Sequence, residues 1–91
     1  MNLRVAICDD ETLIAEEIKE TIGRRYNDYD IDIYNSGISL FEAEQQYDIV
    51  LLDIEMPDMD GMSIAKKMRA NSNKVHIIFF TGHDVLYAPC C

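Results

Sequence analysis

Apolar runs and amphipathic stretches alternate along this chain. Leu3-Arg4-Val5-Ala6-Ile7-Cys8, Ile31 to Tyr34, Tyr47 to Leu52 and Val75 to Phe80 read as strands. Ile49-Val50-Leu51-Leu52 is apolar at every position, which predicts a strand covered on both faces, as in a parallel sheet. Around Ile31 and Ile33 the pattern alternates through Asp32, which predicts an exposed face or a sheet edge.

Between these runs the period becomes helical. Ile14, Ile18 and Ile22 recur at four-residue spacing with Leu13 beside them, predicting a core-facing helix from Thr12 to about Tyr26. Gly23 and then Asn27-Asp28 mark its stop. Ser36 or Ser39 can cap a short helix through Leu40, Phe41 and Ala43. A third helix, Met62 to about Ala70, turns Ile64, Ala65 and Met68 inward. Lys66, Lys67 and Arg69 near its end read as a solvated face. Strand and helix thus alternate through a fourth strand, which predicts one α/β domain with right-handed crossovers.

In such a sheet the strand ends carry the chemistry, because ligands bind outside the carboxyl edge. The first strand runs into Asp9-Asp10-Glu11, the third into Asp53, and the fourth into Thr81-Gly82-His83-Asp84. The acidic triplet has two readings. Asp10 or Thr12 can cap the following helix, or the acids can hold a cation. After Asp53, Pro57 and Gly61 bracket a tight acidic loop containing Asp58 and Asp60. If the strands are neighbours, three carboxylates and a hydroxyl converge, and carboxylates crowd together ionised only with a counterion. Oxygen ligands of this kind suit Mg²⁺. A metal beside a nucleophilic aspartate is equipment for phosphoryl transfer.

Composition narrows the choices. A net charge of −9 argues against direct binding to nucleic acid or an anionic membrane and fits a cation or a basic partner. The N-terminus has no charged region followed by an apolar one, and no apolar run reaches membrane-spanning length, so a cytoplasmic chain is expected. Cys8 reads as a small core residue. Cys90 and Cys91 match no zinc spacing, and Ala88 to Cys91 reads as a frayed tail. His83 reads as an exposed loop residue.

Three segments together, Ile7-Cys8-Asp9-Asp10-Glu11, Leu51-Leu52-Asp53-Ile54-Glu55-Met56-Pro57-Asp58-Met59-Asp60-Gly61 and Phe79-Phe80-Thr81-Gly82, resemble the receiver domain of bacterial two-component response regulators. The resemblance implies a flavodoxin-like (CheY-like) parallel sheet of order 2-1-3-4-5 with helices on both faces. Here that fold would be incomplete, with about four strands and three helices over residues 1–91 and the C-terminal portion of the domain lacking. It implies Asp53 as phosphoryl acceptor, Asp9 and Asp10 with Asp53 as the Mg²⁺ site, Glu55 contributing its backbone carbonyl, and Thr81 as the switch hydroxyl. Pro57 and Gly61 would shape the loop. The phosphate would come from a sensor histidine kinase or a small acyl phosphate, and the output would be regulatory, such as transcription. The wording Leu-Leu-Asp-Ile-Glu-Met-Pro looks most like regulators with a LytTR-type output domain. The protein would be a signalling module acting only on its own phosphorylation state, not a turnover enzyme.

The match departs beyond the fourth strand. The lysine that the family places at the end of its fifth strand has no counterpart, since Lys74 precedes the fourth strand, and the aromatic switch position and the fourth and fifth helices are missing as well. Without the family's further elements the fourth strand would be an exposed sheet edge, so self-association through that edge is expected. A degenerate, non-phosphorylated interaction module is the alternative function. A haloacid-dehalogenase-like hydrolase is a third, opposed by Glu55 where that family has a second Asp.

Overall fold

The computed structural model describes residues 2–43, 45–54, 56, 61–71, 74–81 and 84–87, with only the backbone path at 61, 62, 71, 81 and 84–87. The elements are β1 (Arg4–Cys8), α1 (Thr12–Arg25), β2 (Asp30–Tyr34), α2 (Gly37–Glu42), β3 (Ile49–Asp53), α3 (Gly61–Asn71), β4 (His76–Thr81) and β5 (Asp84–Tyr87). They form one sheet of order β2-β1-β3-β4-β5. The first four strands in that order pair parallel, as the alternation of elements predicts. The most apolar strands, β1 and β3, lie inside the sheet, and β2, with its alternating pattern, forms one edge.

Strand alternation sends side chains to two layers. Ala6, Cys8, Val50, Leu52, Ile77 and Phe79 point to one side and join Leu40 of α2 and Ile64 of α3. Val5 and Ile7 point to the other side and meet Ala15 and Ile18 of α1. Helices therefore cover both faces. Cys8 is fully buried, its Sγ 3.7 Å from the Met56 Sδ. Among the described residues no helix is long and apolar enough to cross a membrane.

Four expectations change. β4 is not the sheet edge, because β5 pairs with it antiparallel, Thr81 opposite Asp84. Two residues separate those partners, and so short a connection permits only an antiparallel return, since a parallel strand needs a long crossover. The exposed edge therefore belongs to β5. Neither Asp10 nor Thr12 caps α1. Its N-cap is Glu11, without a side-chain cap bond, whereas Ser36 does cap α2 by accepting from the Ser39 amide at 3.0 Å. Leu13 does not join the core-facing stripe and is 83% exposed, because α1 turns Ala15, Ile18 and Ile22 toward the sheet and Leu13 to the opposite side. Arg69 is not simply solvated. Its Nη1 donates to the Val75 carbonyl at 2.5 Å, tying α3 to the start of β4. Lys66 and Lys67 are exposed as expected, with Lys67 over the Phe41 ring. His83, Ala88 and the Cys90-Cys91 pair lie outside the described residues.

Candidate functional site: an incomplete carboxylate cluster

Strand register builds the site. Cys8 lies opposite Leu52, so the next residue on each strand, Asp9 and Asp53, stand side by side at the carboxyl edge. On the far side of β3, Asp53 lies opposite Phe80, and the Ile54 amide donates to the Phe80 carbonyl at 3.1 Å, which brings the Thr81 backbone to the same edge. One oxygen each from Asp9, Asp10 and Asp53 lies within 4.8 Å of the others. Asp9 and Asp53 are buried and Asp10 is exposed.

Asp9 is held from two directions. Its amide donates to the Tyr34 carbonyl at 3.0 Å, and its Oδ1 accepts from the Glu11 amide at 2.8 Å. That second bond turns the chain into α1 and fixes the carboxylate. Its Oδ2 is buried and, among the described residues, has no hydrogen-bond partner. Burial pushes the Asp9 carboxyl up to about 6. The neighbouring Asp53 and Asp10 charges add to the rise, and the Glu11 amide opposes it.

A buried carboxylate oxygen without a donor is costly, and such atoms are rare in folded proteins. A hard cation satisfies it. Adjacent and opposite oxygens around Mg²⁺ stand roughly 3–4 Å apart, so three carboxylates already gathered within 4.8 Å fit the ion with little movement. Asp9, Asp10 and Asp53 are thus brought together as the sequence implies. Glu55, Pro57 and the Thr81 side chain lie outside the described residues.

Tyr34 contributes to the site with no mark of that role in the sequence pattern. Its main-chain carbonyl anchors Asp9, and its hydroxyl bonds that of Tyr47, which donates to the Asp32 Oδ2 at 2.7 Å. Burial, then bonding to Tyr34 and Asp32, holds the Tyr47 phenol far above its ordinary titration range. Arg4 completes the group, its guanidinium 3.8 Å from Asp32 and over the Tyr47 ring. Only register reveals this network, since its hydroxyl partners lie 13 and 15 residues apart.

Comparison with known proteins agrees with the geometry. Residues 5–88 match the family described as the response regulator receiver domain. The response regulator MprA of Mycobacterium ulcerans is 24% identical over 86 residues, covering 92% of this chain and 36% of MprA. The chain therefore spans about a third of the curated relatives it matches. Among solved structures, the response regulator TrrA of Thermotoga maritima in complex with Mg²⁺-BeF is 32% identical with a TM-score of 0.80, covering 92% of this chain and 72% of TrrA. A structure of the histidine kinase ThkA in complex with TrrA matches at 31% identity and a TM-score of 0.79, covering 98% of this chain and 76% of that one. A buried aspartate beside an acidic pair, on a sheet of this order, and a family match over nearly the whole chain leave one assignment: the chain belongs to the response regulator receiver domain family.

Proposed function

We propose that the chain is a phospho-accepting receiver in which Asp53 takes a phosphoryl group from a histidine kinase or a small acyl phosphate. The observation that carries this reading is the cluster of Asp9, Asp10 and Asp53 around the Asp9 Oδ2, which has no hydrogen-bond partner among the described residues. Mg²⁺ is the cofactor the residues fit, and it would be held by these three carboxylates and, as the resemblance implies, by the Glu55 backbone carbonyl. When bound, it neutralises negative charge on the acceptor and the incoming phosphate.

The chain's own groups do the rest. An oxygen of Asp53 attacks phosphorus, and the bond from phosphorus to the donor imidazole or acyl oxygen breaks, its electron pair leaving with the donor. Strands β1 and β3 hold attacker and metal ligands in fixed register, so little reorganisation is needed. Thr81 supplies the switch hydroxyl. The output is regulatory, with transcription through a LytTR-type domain the first candidate. TrrA, crystallised both with Mg²⁺-BeF and with its kinase ThkA, supports the same reading of cofactor and partner. The protein works in the cytoplasm as a signalling module, catalysing only its own phosphorylation and dephosphorylation.

A second reading has one observation in its favour. β5, Asp84–Tyr87, runs antiparallel and carries no lysine, so this strand brings no cation toward a phosphorylated Asp53. That favours a non-phosphorylated interaction module. Intact-mass spectrometry after incubation with acetyl phosphate and Mg²⁺ separates the two. A phosphoryl adduct on the parent chain and none on Asp53→Ala supports the receiver reading. No adduct on a chain that is folded by circular dichroism supports the module.

A further inference from the structure

We infer that Cys8 and Met56 act as one positioning pair, a buried contact that holds the chain after Asp53 in place for the cation. The inference rests on the receiver reading above and deepens it, by naming what fixes that arm of the site. Cys8 ends β1 one residue before Asp9, and Met56 follows Asp53 by three residues. Their sulfurs lie 3.7 Å apart, and the two residues are 0% and 7% exposed. Thiol and thioether bond each other only weakly, so the contact acts through packing and placement.

The placement falls on both sides of Glu55. The chain leaves β3 at Asp53, and the Ile54 amide donates to the Phe80 carbonyl at 3.1 Å, which fixes the residue before Glu55. The residue after it, Met56, turns its side chain back into the core layer of Cys8, Leu52 and Ile64. Glu55, whose main-chain carbonyl the resemblance makes a metal ligand, therefore stands between two anchors. The other arm is fixed by backbone bonds, from the Asp9 amide to the Tyr34 carbonyl and from the Glu11 amide to the Asp9 Oδ1. Cys8 joins the two arms, because its strand carries Asp9 and its side chain meets Met56.

The anchor depends on its neighbour. Methionine has three rotatable bonds, so it pins a chain only while the space around it is filled. Cys8 fills part of that space. Groups that orient metal ligands without touching the metal are typically worth about 10–100-fold in metal affinity. One carbonyl among several ligands belongs at the low end of that range.

Mg²⁺ titration of the whole 91-residue chain, followed by amide NMR shifts, tests this without any phosphoryl donor. Met56→Ala should weaken Mg²⁺ binding about tenfold, and Cys8→Ala, which deletes only the sulfur, about threefold. The double variant should bind no more weakly than Met56→Ala, since the two residues work as a unit. Met56→Leu keeps the apolar volume and should bind within about twofold of the parent. Ile77→Val removes one carbon from the same core layer, near the start of β4, and should lose stability while binding Mg²⁺ as the parent does. Circular dichroism confirms folding of each variant. Should Met56→Ala not fold, Cys8→Ala compared with Ile77→Val decides alone. A Cys8→Ala chain that binds Mg²⁺ as tightly as a binding parent overturns this inference and leaves the receiver reading standing. Losses that multiply to about thirtyfold in the double variant overturn it too. A parent that takes up no Mg²⁺ overturns both.

Discussion

Two polar clusters sit in this one small sheet, and they are built to opposite specifications. Arg4, Asp32, Tyr34 and Tyr47 form a closed group, in which each tyrosine hydroxyl has a partner and the Asp32 carboxylate receives both a hydroxyl and a guanidinium. Asp9, Asp10 and Asp53 form an open group, three acids with an oxygen each inside 4.8 Å and one buried oxygen that has no donor among the described residues. Tyr34 touches both, its hydroxyl in the closed cluster and its carbonyl on the Asp9 amide. Satisfied networks hold a fold together. A network left incomplete in the same fold marks where a ligand completes it, at the expense of stability until the ligand arrives.

The contrast breaks most visibly at Asp53. Asp53→Ala should reduce phosphoryl uptake to background, read by intact mass, while metal-free stability holds or rises because a like charge has gone. A clear loss of stability would place Asp53 in the closed, structural class. Asp9→Asn keeps the acceptor for the Glu11 amide but removes the buried charge. It should raise metal-free stability at pH 7 by about 1–3 kcal/mol, checked by urea unfolding, and weaken Mg²⁺ binding at least tenfold.

The closed cluster should respond the other way. Tyr47→Phe leaves Tyr34 and Asp32 short of a partner and should cost about 1–2 kcal/mol in the same unfolding assay. Its Mg²⁺ affinity should stay within about threefold of the parent's, a shift of less than 1 kcal/mol. Protonation offers a gentler probe of the open cluster. The Asp9 carboxyl titrates near 6 when folded, against an ordinary value of 3.8, so its favourable contribution is complete below about pH 4 and lost as pH rises through 6. Metal-free protein should therefore gain stability from this group on acidification from pH 7 to 5, and saturating Mg²⁺ should remove that gain. Smallest, and a control outside both clusters, Gly23→Ala meets nothing within 4 Å in the last turns of α1 and should add about 0.5–1 kcal/mol.

Much of the open cluster was legible in the sequence. Apolar runs that end abruptly in Asp9 and Asp53 identify buried parallel strands and their carboxyl ends, and the order of elements places those ends on one edge. The closed cluster was not legible. Tyr34 and Tyr47 look like ordinary core aromatics until register brings Tyr47 against β2. β5 also escaped, because Asp84-Val85-Leu86-Tyr87 is too short for its period to show, and its direction follows from a two-residue connection rather than from any pattern within it. Leu13 was misplaced because an apolar residue next to a stripe is indistinguishable from one on it until the helix is rotated against its sheet.

The most direct test of the open-versus-closed distinction is thermal unfolding at pH 7 with increasing Mg²⁺, run on the parent chain, Asp9→Asn and Tyr47→Phe. The expected result is a midpoint that climbs with Mg²⁺ in the parent, as binding to the folded state alone requires. The climb should be nearly lost in Asp9→Asn and retained from a lower starting point in Tyr47→Phe. A parent midpoint indifferent to Mg²⁺, or an Asp9→Asn variant that climbs as steeply as the parent, would contradict the claim that this cluster is held open for a cation.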